Sequence, residues 1–147
     1  MKELRSDIEV NASAERVWRI LTDFASFPQW NPFMRRASGE IKKGAKLEVN
    51  LQPTGARSIT FRPTVLNVEV NRELSWLGRL WIPRLFDGEH ILAIEPLGDN
   101  RVRFVQREIF RGLFVPFLSR SLDKDTRRGF DEMNKALKAR AEHSDAQ

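Results

Sequence analysis

The stretch VPFLSRSLDKDTRRGFDEMNKALKARA, residues 115–141, decides how the rest of the chain is interpreted. Its apolar side chains recur in steps of three or four residues, with one double step, at Leu118, Leu122, Phe130, Met133 and Leu137. This is the helical period, and charged residues occupy half of the remaining positions. The spacing predicts an amphipathic helix of about 27 residues, roughly 40 Å long. A helix of this length must bury its apolar stripe against another element.

Composition limits the kind of protein that carries this helix. The chain has 147 residues, of which 41% are hydrophobic, and this predicts a single domain over residues 1–147 with a frayed tail at about 142–147. The absence of cysteine excludes disulfides, thiolate metal sites and cysteine nucleophiles. The amino terminus shows no signal-peptide pattern, and no segment approaches the roughly 20 apolar residues of a membrane span. We therefore expect a cytoplasmic protein.

Ahead of the long helix the sequence predicts a strand, a short helix, a loop and a run of strands. The first strand covers about 6–10. Asn11 and Ser13 supply helix-start chemistry for the short helix AERVWRILTDF, with Glu15 in its first turn. The segment FPQWNPF, residues 27–33, contains two prolines and predicts an aromatic loop that cannot continue as a regular helix. Glycine and proline then delimit strands near 34–41, 45–52, 58–70, 73–80, 86–96 and 101–110.

Two details of these strands can be predicted more closely. Pro63 lies inside the predicted strand 58–70, which indicates an edge position or a bulge. The last two strands flank Gly98-Asp99-Asn100, a turn cluster typical of a hairpin. Alternation assigns one face of this hairpin to the interior, with Gly88, His90, Leu92 and Ile94 on its first strand and Val102, Phe104, Gln106, Glu108 and Phe110 on its second. A curved antiparallel sheet is therefore the expected partner of the long helix.

Four stretches carry a resemblance to a known family: RVWRILTDFASFPQWNPF, GAKLEV, GEHILAIEPLGDNRVRFVQREIFRG and the long helix. With them the chain resembles the START-like or Bet v 1-like proteins, and within these the polyketide cyclase/dehydrase and lipid-transport group. The resemblance implies an α+β helix-grip fold, with a short helical segment after the first strand. In that fold a curved, seven-stranded antiparallel sheet wraps around the C-terminal helix. It also implies an elongated apolar cavity between the two.

Apolar and aromatic side chains are the first candidates for the wall of such a cavity. Aromatic residues dominate ordinary cores as well, so both interpretations stay open for most of them. Trp30 and Phe33 lie in the proline-bounded loop, where a lid or portal is the expectation. The candidate ligand-binding residues of this kind are Trp18, Phe24, Trp30, Phe33, Trp76, Leu92, Phe104, Phe110, Phe117, Leu118 and Leu122.

His90, Gln106 and Glu108 are the polar candidates, because the predicted hairpin points all three inward. Buried polar groups are costly unless they are hydrogen-bonded. The three side chains therefore either satisfy one another and the last helix, or hold the polar end of a ligand. A third interpretation makes His90 and Glu108 a general acid/base pair with pKa values shifted by burial.

Several kinds of site are not supported by the sequence. Two histidines without cysteine are a poor basis for a zinc site, and we expect neither a metal nor another cofactor. There is no Gly-x-Ser-x-Gly motif for a nucleophilic serine and no glycine-rich phosphate loop. The net charge is +5, but acidic residues interleave with the basic ones on the last helix. We expect no nucleic-acid partner, at most weak contact with an anionic membrane, and a monomer or weak dimer.

The function that these observations favour is the binding of a small hydrophobic ligand in an internal cavity between sheet and helix. A lipid, a quinone or an aromatic, polyketide-like metabolite would fit this description. One alternative is an enzyme of the polyketide cyclase or dehydratase kind, in which His90 or Glu108 moves a proton. A second alternative is a regulatory module that binds a protein partner or a membrane, which would display an exposed apolar patch.

Overall fold

The computed structural model describes residues 1–52, 58–79, 87–112 and 122–143. The first eleven elements are β1 (Lys2–Val10), α1 (Ala14–Thr22), a 3₁₀ turn (Phe24–Ser26), α2 (Phe27–Trp30), β2 (Met34–Ser38), β3 (Glu48–Leu51), β4 (Ile59–Phe61), β5 (Thr64–Glu69), β6 (Glu73–Arg79), β7 (Asp87–Gly98) and β8 (Arg101–Arg111). A π-helical turn (Leu122–Thr126) and the helix α3 (Arg127–Glu142) follow. The predicted α+β composition is confirmed.

Five strands form an antiparallel sheet in the order β1-β8-β7-β6-β5. The predicted hairpin is β7–β8, and its register places His90 opposite Glu108 and Leu92 opposite Gln106. The predicted inner face is also confirmed, because His90, Leu92 and Gln106 are buried. β1 is longer than predicted and pairs with β8 over its whole length. Antiparallel pairing of consecutive strands through a tight turn explains why this hairpin could be read from the sequence.

The described residues form eight strands where seven were predicted, and Pro63 accounts for the difference. The segment predicted as one strand at 58–70 is divided into β4 and β5 at Arg62–Pro63. β3 pairs with β4, and the bridge between Lys46 and Thr64 continues the same register past the break. Pro63 has no N–H for the ladder, although its carbonyl accepts from the N–H of Leu47 at 2.9 Å. The separate sheet β2-β3-β4 is thus joined edge to edge with the larger sheet.

Helix α3 packs its apolar stripe on the inner face of the larger sheet. Phe130, Met133 and Leu137 are almost completely buried, as the helical period predicted. Burial of each such side chain contributes about 1.5–3 kcal/mol. The regular helix covers 16 residues. It is shorter than the predicted rod of about 27 residues, because a π-helical turn precedes it and residues 115–121 lie outside the described ranges.

The segment between β1 and β2 is more helical than predicted. Ser13 caps α1 as expected, with its hydroxyl accepting from the N–H of Arg16 at 3.1 Å. The predicted aromatic loop instead contains the helical turn α2, since Pro28 occupies a first-turn position that needs no N–H donor. The turn ends at Asn31, whose extended backbone is the conformation that a following proline imposes.

Candidate functional site

One row of side chains crosses the inner face of the larger sheet and contains most of the polar candidates. Strand register places Trp76 opposite His90, His90 opposite Glu108, and Glu108 opposite Leu4. Residues directly opposite on one face of an antiparallel pair have Cβ atoms about 5 Å apart, so neighbours in this row touch. The sheet therefore brings His90 and Glu108 together between apolar neighbours.

His90 is buried, with 3% of its surface exposed. Its ring lies between aromatic rings, with centroid distances of 5.3 Å to Trp76 and 5.0 Å to Phe130. Its Nε2 is 2.9 Å from Oε1 of Gln106. Burial lowers the pKa of His90 to about 4, and the Gln106 hydrogen bond opposes this shift only in part. The imidazole is therefore neutral at pH 7.

Gln106 connects His90 to the C-terminal helix. Its Nε2 donates to Oδ1 of Asn134 at 2.7 Å and lies 3.4 Å from the backbone oxygen of Phe130. Nδ2 of Asn134 donates to Oγ of Ser6 at 3.0 Å, and Ser6 is hydrogen-bonded to the carboxylate of Asp131. We call His90, Gln106, Asn134, Ser6 and Asp131 the interior network. It links β7, β8, α3 and β1, which matches the expectation that such side chains satisfy one another and the last helix.

Glu108 stands outside this network. Its Oε2 is buried and has no hydrogen-bond partner among the described residues, although the residue as a whole keeps partial exposure. Burial raises the pKa of Glu108 to about 8, and the negative charge of Glu89 adds to this effect. Glu108 therefore carries a proton at pH 7 and can donate a hydrogen bond as well as accept one.

Two glycines lie on the inner face beside Glu108, where other side chains approach the backbone closely. Gly78 and Gly88 lie directly opposite each other on β6 and β7. A Cβ added to Gly88 would lie 3.4 Å from Oε1 of Glu108, and one added to Gly78 would lie 3.0 Å from the ring of Phe61. These nearest described atoms belong to the sheets and not to α3. Neither backbone needs the left-handed region, so the missing side chains serve no turn and instead allow the Phe61 ring and the Glu108 carboxyl to approach the sheet closely.

The remaining candidates on the sheet are ordinary interior residues by position. Leu92, Phe104 and Phe110 are buried, and Phe110 lies opposite Gly88. Phe104 lies opposite Ile94 and Ile8, one row further from Glu108 than Gln106 is. Phe110 is thus the member of this group that adjoins the glycine pair.

The candidates before β2 form an aromatic group of their own. Phe24, Phe27 and Trp30 pack edge to face, with centroid distances of 5.2 and 5.4 Å. Trp18 and Trp30 are half-buried against the core, and Nε1 of Trp30 is buried without a hydrogen-bond partner among the described residues.

Phe33 has a different surrounding from the one expected of a portal residue. It is buried, with 4% of its surface exposed, and packs edge to face on Phe130 at 5.8 Å. A Cβ added to Gly129 would lie 2.3 Å from its ring, so the close approach of Phe33 to α3 requires glycine there. Phe117 and Leu118 lie outside the described residues, as does the side chain of Leu122.

Sequence reasoning missed Ser6, Asn134 and Asp131 as members of the interior network. Asn134 could have been found, because it lies four residues after Phe130 and three before Leu137, on the apolar stripe itself. A polar residue on a buried stripe must find a partner. Asp131 has no such signal, since carboxylates are common on the exposed face of a helix.

One concavity of the described residues has neither His90 nor Glu108 in its lining. It is an open groove of about 690 Å³ between the segment around Phe24 and Pro28 and the strands β2, β3 and β4. Arg36, Glu48 and Asn50 contribute polar groups to it. Over residues 1–52, 58–79, 87–112 and 122–143, no helix is long and apolar enough to cross a membrane, and no three potential ligands group around a metal position.

Comparison with known proteins agrees with the geometry. The family model described as polyketide cyclase / dehydrase and lipid transport matches residues 1–142. No curated protein sequence matches the chain.

Solved structures share the fold. A START superfamily protein from Mycobacterium smegmatis is 24% identical with a TM-score of 0.75, and the match covers 95% of this chain and 97% of that one. The Zhui aromatase/cyclase from Streptomyces sp. R1128 is 16% identical with a TM-score of 0.77, covering 96% and 93%. A norcoclaurine synthase from Thalictrum flavum is 13% identical with a TM-score of 0.70, covering 94% and 92%. The START-like architecture is therefore confirmed.

Proposed function

Because the chain belongs to the polyketide cyclase/dehydrase and lipid-transport family, we propose that it binds a small hydrophobic ligand between the sheet and the C-terminal helix. The ligand is a lipid, a quinone or an aromatic, polyketide-like metabolite, and no cofactor is required. One observation carries the proposal: Oε2 of Glu108 is buried without a described partner, and the carboxyl lies beside Gly88 and opposite His90 on the inner face.

The energetic cost of that arrangement supports a ligand. An unsatisfied buried polar group costs about 1–3 kcal/mol, and native proteins rarely keep one without a reason. A ligand hydroxyl or carbonyl at Glu108 would remove this cost, since a protonated carboxyl can both donate and accept.

The apolar surroundings of Glu108 would supply most of the affinity. Trp76 lies on one side of the row, and the rings of Phe61 and Phe110 lie beside the glycine pair. Apolar ligand surface buried against them contributes about 25 cal/mol per Å² before the cost of immobilising the ligand. Glu108 would then orient the polar end, as in other apolar pockets with few polar groups.

The first experiment is native mass spectrometry of the freshly purified protein, followed by denaturing extraction of any bound molecule. We expect an apolar compound with one oxygen-bearing end. The extracted compound is then titrated against Glu108→Gln and Gly88→Val, and we expect the second variant to lose at least tenfold in affinity because its side chain would press on the Glu108 carboxyl. Gly98→Ala is the matched control, since a Cβ there meets no atom within 4 Å.

Two results would refute the proposal. One is a clean mass for the unliganded protein together with no thermal shift from a panel of lipids, quinones and polycyclic phenols. The other is unchanged affinity in Gly88→Val while the control behaves in the same way. In either case the open groove near Phe24 becomes the next surface to test.

A specific observation also supports the enzyme alternative. Glu108 is protonated at pH 7 and His90 is neutral, and they lie opposite each other in the sheet. A neutral carboxylic acid facing a neutral imidazole is the pair that general acid–base catalysis of a cyclisation or dehydration needs. This hypothesis predicts a rate that falls above about pH 8 as Glu108 ionises. Turnover of the identified ligand that persists in Glu108→Gln would contradict it.

A further inference from the structure

The interior network runs from a buried imidazole to an exposed carboxylate. His90 and Gln106 are buried in the sheet, Asn134 is buried on α3, and Asp131 lies one helical turn earlier on the exposed part of the same helix. Ser6 of β1 lies between the two α3 side chains. The network therefore connects the protein surface to the row that contains Glu108.

The chemistry of the groups sets the direction in which hydrogen bonds are donated. A carboxylate only accepts, so the single proton of the Ser6 hydroxyl is donated to Asp131. Ser6 must then accept from the amide nitrogen of Asn134, which turns the amide oxygen of Asn134 toward Gln106.

The orientation of the Gln106 amide determines which ring nitrogen of His90 carries the proton. Gln106 directs its nitrogen toward Asn134, and the backbone oxygen of Phe130 on that side also requires a donor. The amide oxygen of Gln106 consequently faces His90, and Nε2 of His90 must carry the proton. Because the imidazole is neutral, it has only that one ring proton, and Nδ1 keeps its lone pair.

We propose that Asp131, acting through the interior network, fixes His90 as the Nε2–H tautomer, so that the ligand site accepts a hydrogen bond at Nδ1 and selects ligands with an O–H or N–H group there. Asp131, Ser6, Asn134 and Gln106 are positioning residues, since none of them is required to touch the ligand. The ligand selectivity rests on the proposed function, whereas the tautomer does not.

The tautomer is measured directly by long-range ¹H–¹⁵N correlation of the histidine rings in the labelled full-length protein. We expect wild-type His90 to be protonated on Nε2. Asp131→Lys replaces the terminal acceptor by a donor, which favours the opposite direction of donation throughout the network, so the Nδ1–H form should gain population. Asp131→Glu keeps a carboxylate and should retain the wild-type tautomer.

Two further variants make this test specific. Ser6→Ala breaks the network next to Asp131 and should also yield a mixture of tautomers, which covers the case in which Asp131→Lys does not fold. Asp99→Lys makes the same change of charge at the exposed β7–β8 turn and should leave the His90 spectrum unchanged. Protonation of wild-type His90 on Nδ1 would overturn the proposal, as would identical spectra for wild type, Asp131→Lys and Ser6→Ala.

Ligand selectivity is tested with two probes that differ in one hydrogen-bond donor, 2-naphthol and 2-methoxynaphthalene. We expect wild type to bind the naphthol about tenfold more tightly, the effect of a single hydrogen bond in a buried site. Asp131→Lys should reduce this ratio. Equal binding of both probes to both proteins would overturn the selectivity while leaving ligand binding intact. Binding of neither probe would overturn the selectivity together with the proposed function, and the tautomer result would stand by itself.

Discussion

Glu108 makes the stability of this protein depend on pH in a direction that is unusual for a carboxyl group. Its pKa is raised from 4.5 to about 8, first by burial and second by the charge of Glu89. Between these two values the folded protein holds a proton that the unfolded chain releases. The free energy of unfolding therefore falls as the pH rises through this window.

The size of the effect follows from the two pKa values. Each factor of ten in proton affinity is worth about 1.4 kcal/mol. Between pH 5 and pH 8 the ionisation of Glu108 should lower the free energy of unfolding by about 3 to 4 kcal/mol. Glu108→Gln cannot ionise, so whatever its stability at pH 5, it should gain about this amount relative to wild type by pH 8.

Urea denaturation of both proteins at several values between pH 5 and pH 8 measures this difference. Glu95→Gln is the control for the loss of one negative charge, because Glu95 is exposed on the same hairpin and pairs with Arg103. Glu95→Gln should not gain stability relative to wild type between pH 5 and pH 8. Parallel profiles for wild type and Glu108→Gln would refute the conclusion that Glu108 is protonated in the folded protein at pH 7.

Three further predictions concern stability, and urea denaturation measures each of them. Gly129→Ala should destabilise by about 2 kcal/mol, because the new Cβ would lie 2.3 Å from the Phe33 ring, and Phe33→Leu in the same chain should recover part of the loss; additive losses would contradict this contact. Ser13→Ala should cost about 1 kcal/mol by removing the cap that accepts from Arg16, whereas an unchanged midpoint would exclude a capping role. The pKa of His90 is lowered from 6.5 to about 4, so wild type should lose about 3 kcal/mol as the pH falls through this window, and His90→Gln should not show that loss.

The periodic parts of the fold could be predicted from the sequence because local and long-range forces agree there. The stripe at Phe130, Met133 and Leu137 has the helical period and is buried as a stripe. The β7–β8 hairpin has alternating faces and a two-residue turn between its strands, so its existence and its inner face could be predicted, whereas the bulge between Pro96 and Gly98 that shifts its register could not. These elements required no knowledge of what packs against them.

The predictions that differ from the structure depend on proline and on packing. Pro28 was taken to end regular structure, but in the first turn of α2 its missing N–H costs nothing. Pro63 divides one expected strand into two, and only the register across the break reveals their continuity. Phe33 was expected at a portal, and its burial depends on Gly129, nearly one hundred residues later. No local pattern contains such a contact.

The positions of the polar candidates could be predicted from the sequence, but their hydrogen-bond partners could not. Alternation placed His90, Gln106 and Glu108 on one face, but it could not show which of them have hydrogen-bond partners in the fold. The structure divides them by their partners: His90 and Gln106 are satisfied by the network that reaches α3, while Oε2 of Glu108 has no described partner. Hydrogen-bond partners on β1 and α3 are fixed by tertiary packing, which the spacing of residues in one hairpin does not encode.

This division also separates the inner face into two parts with different expected responses to mutation. Toward the β7–β8 turn, Leu92 and Phe104 are fully buried, so substitutions there should reduce stability before they affect any ligand. Toward the start of β7, the atoms nearest to the glycine pair come from the sheets, and the group beside it is an unsatisfied carboxyl. His90 lies at the boundary, since its Nε2 is bound to Gln106 on the packed side and its strand partner is Glu108. A substitution that alters ligand selectivity with little change in stability should therefore lie on the Glu108 side of His90 or at Asp131. Asp131 is the distant carboxylate that fixes which ring nitrogen of His90 carries the proton.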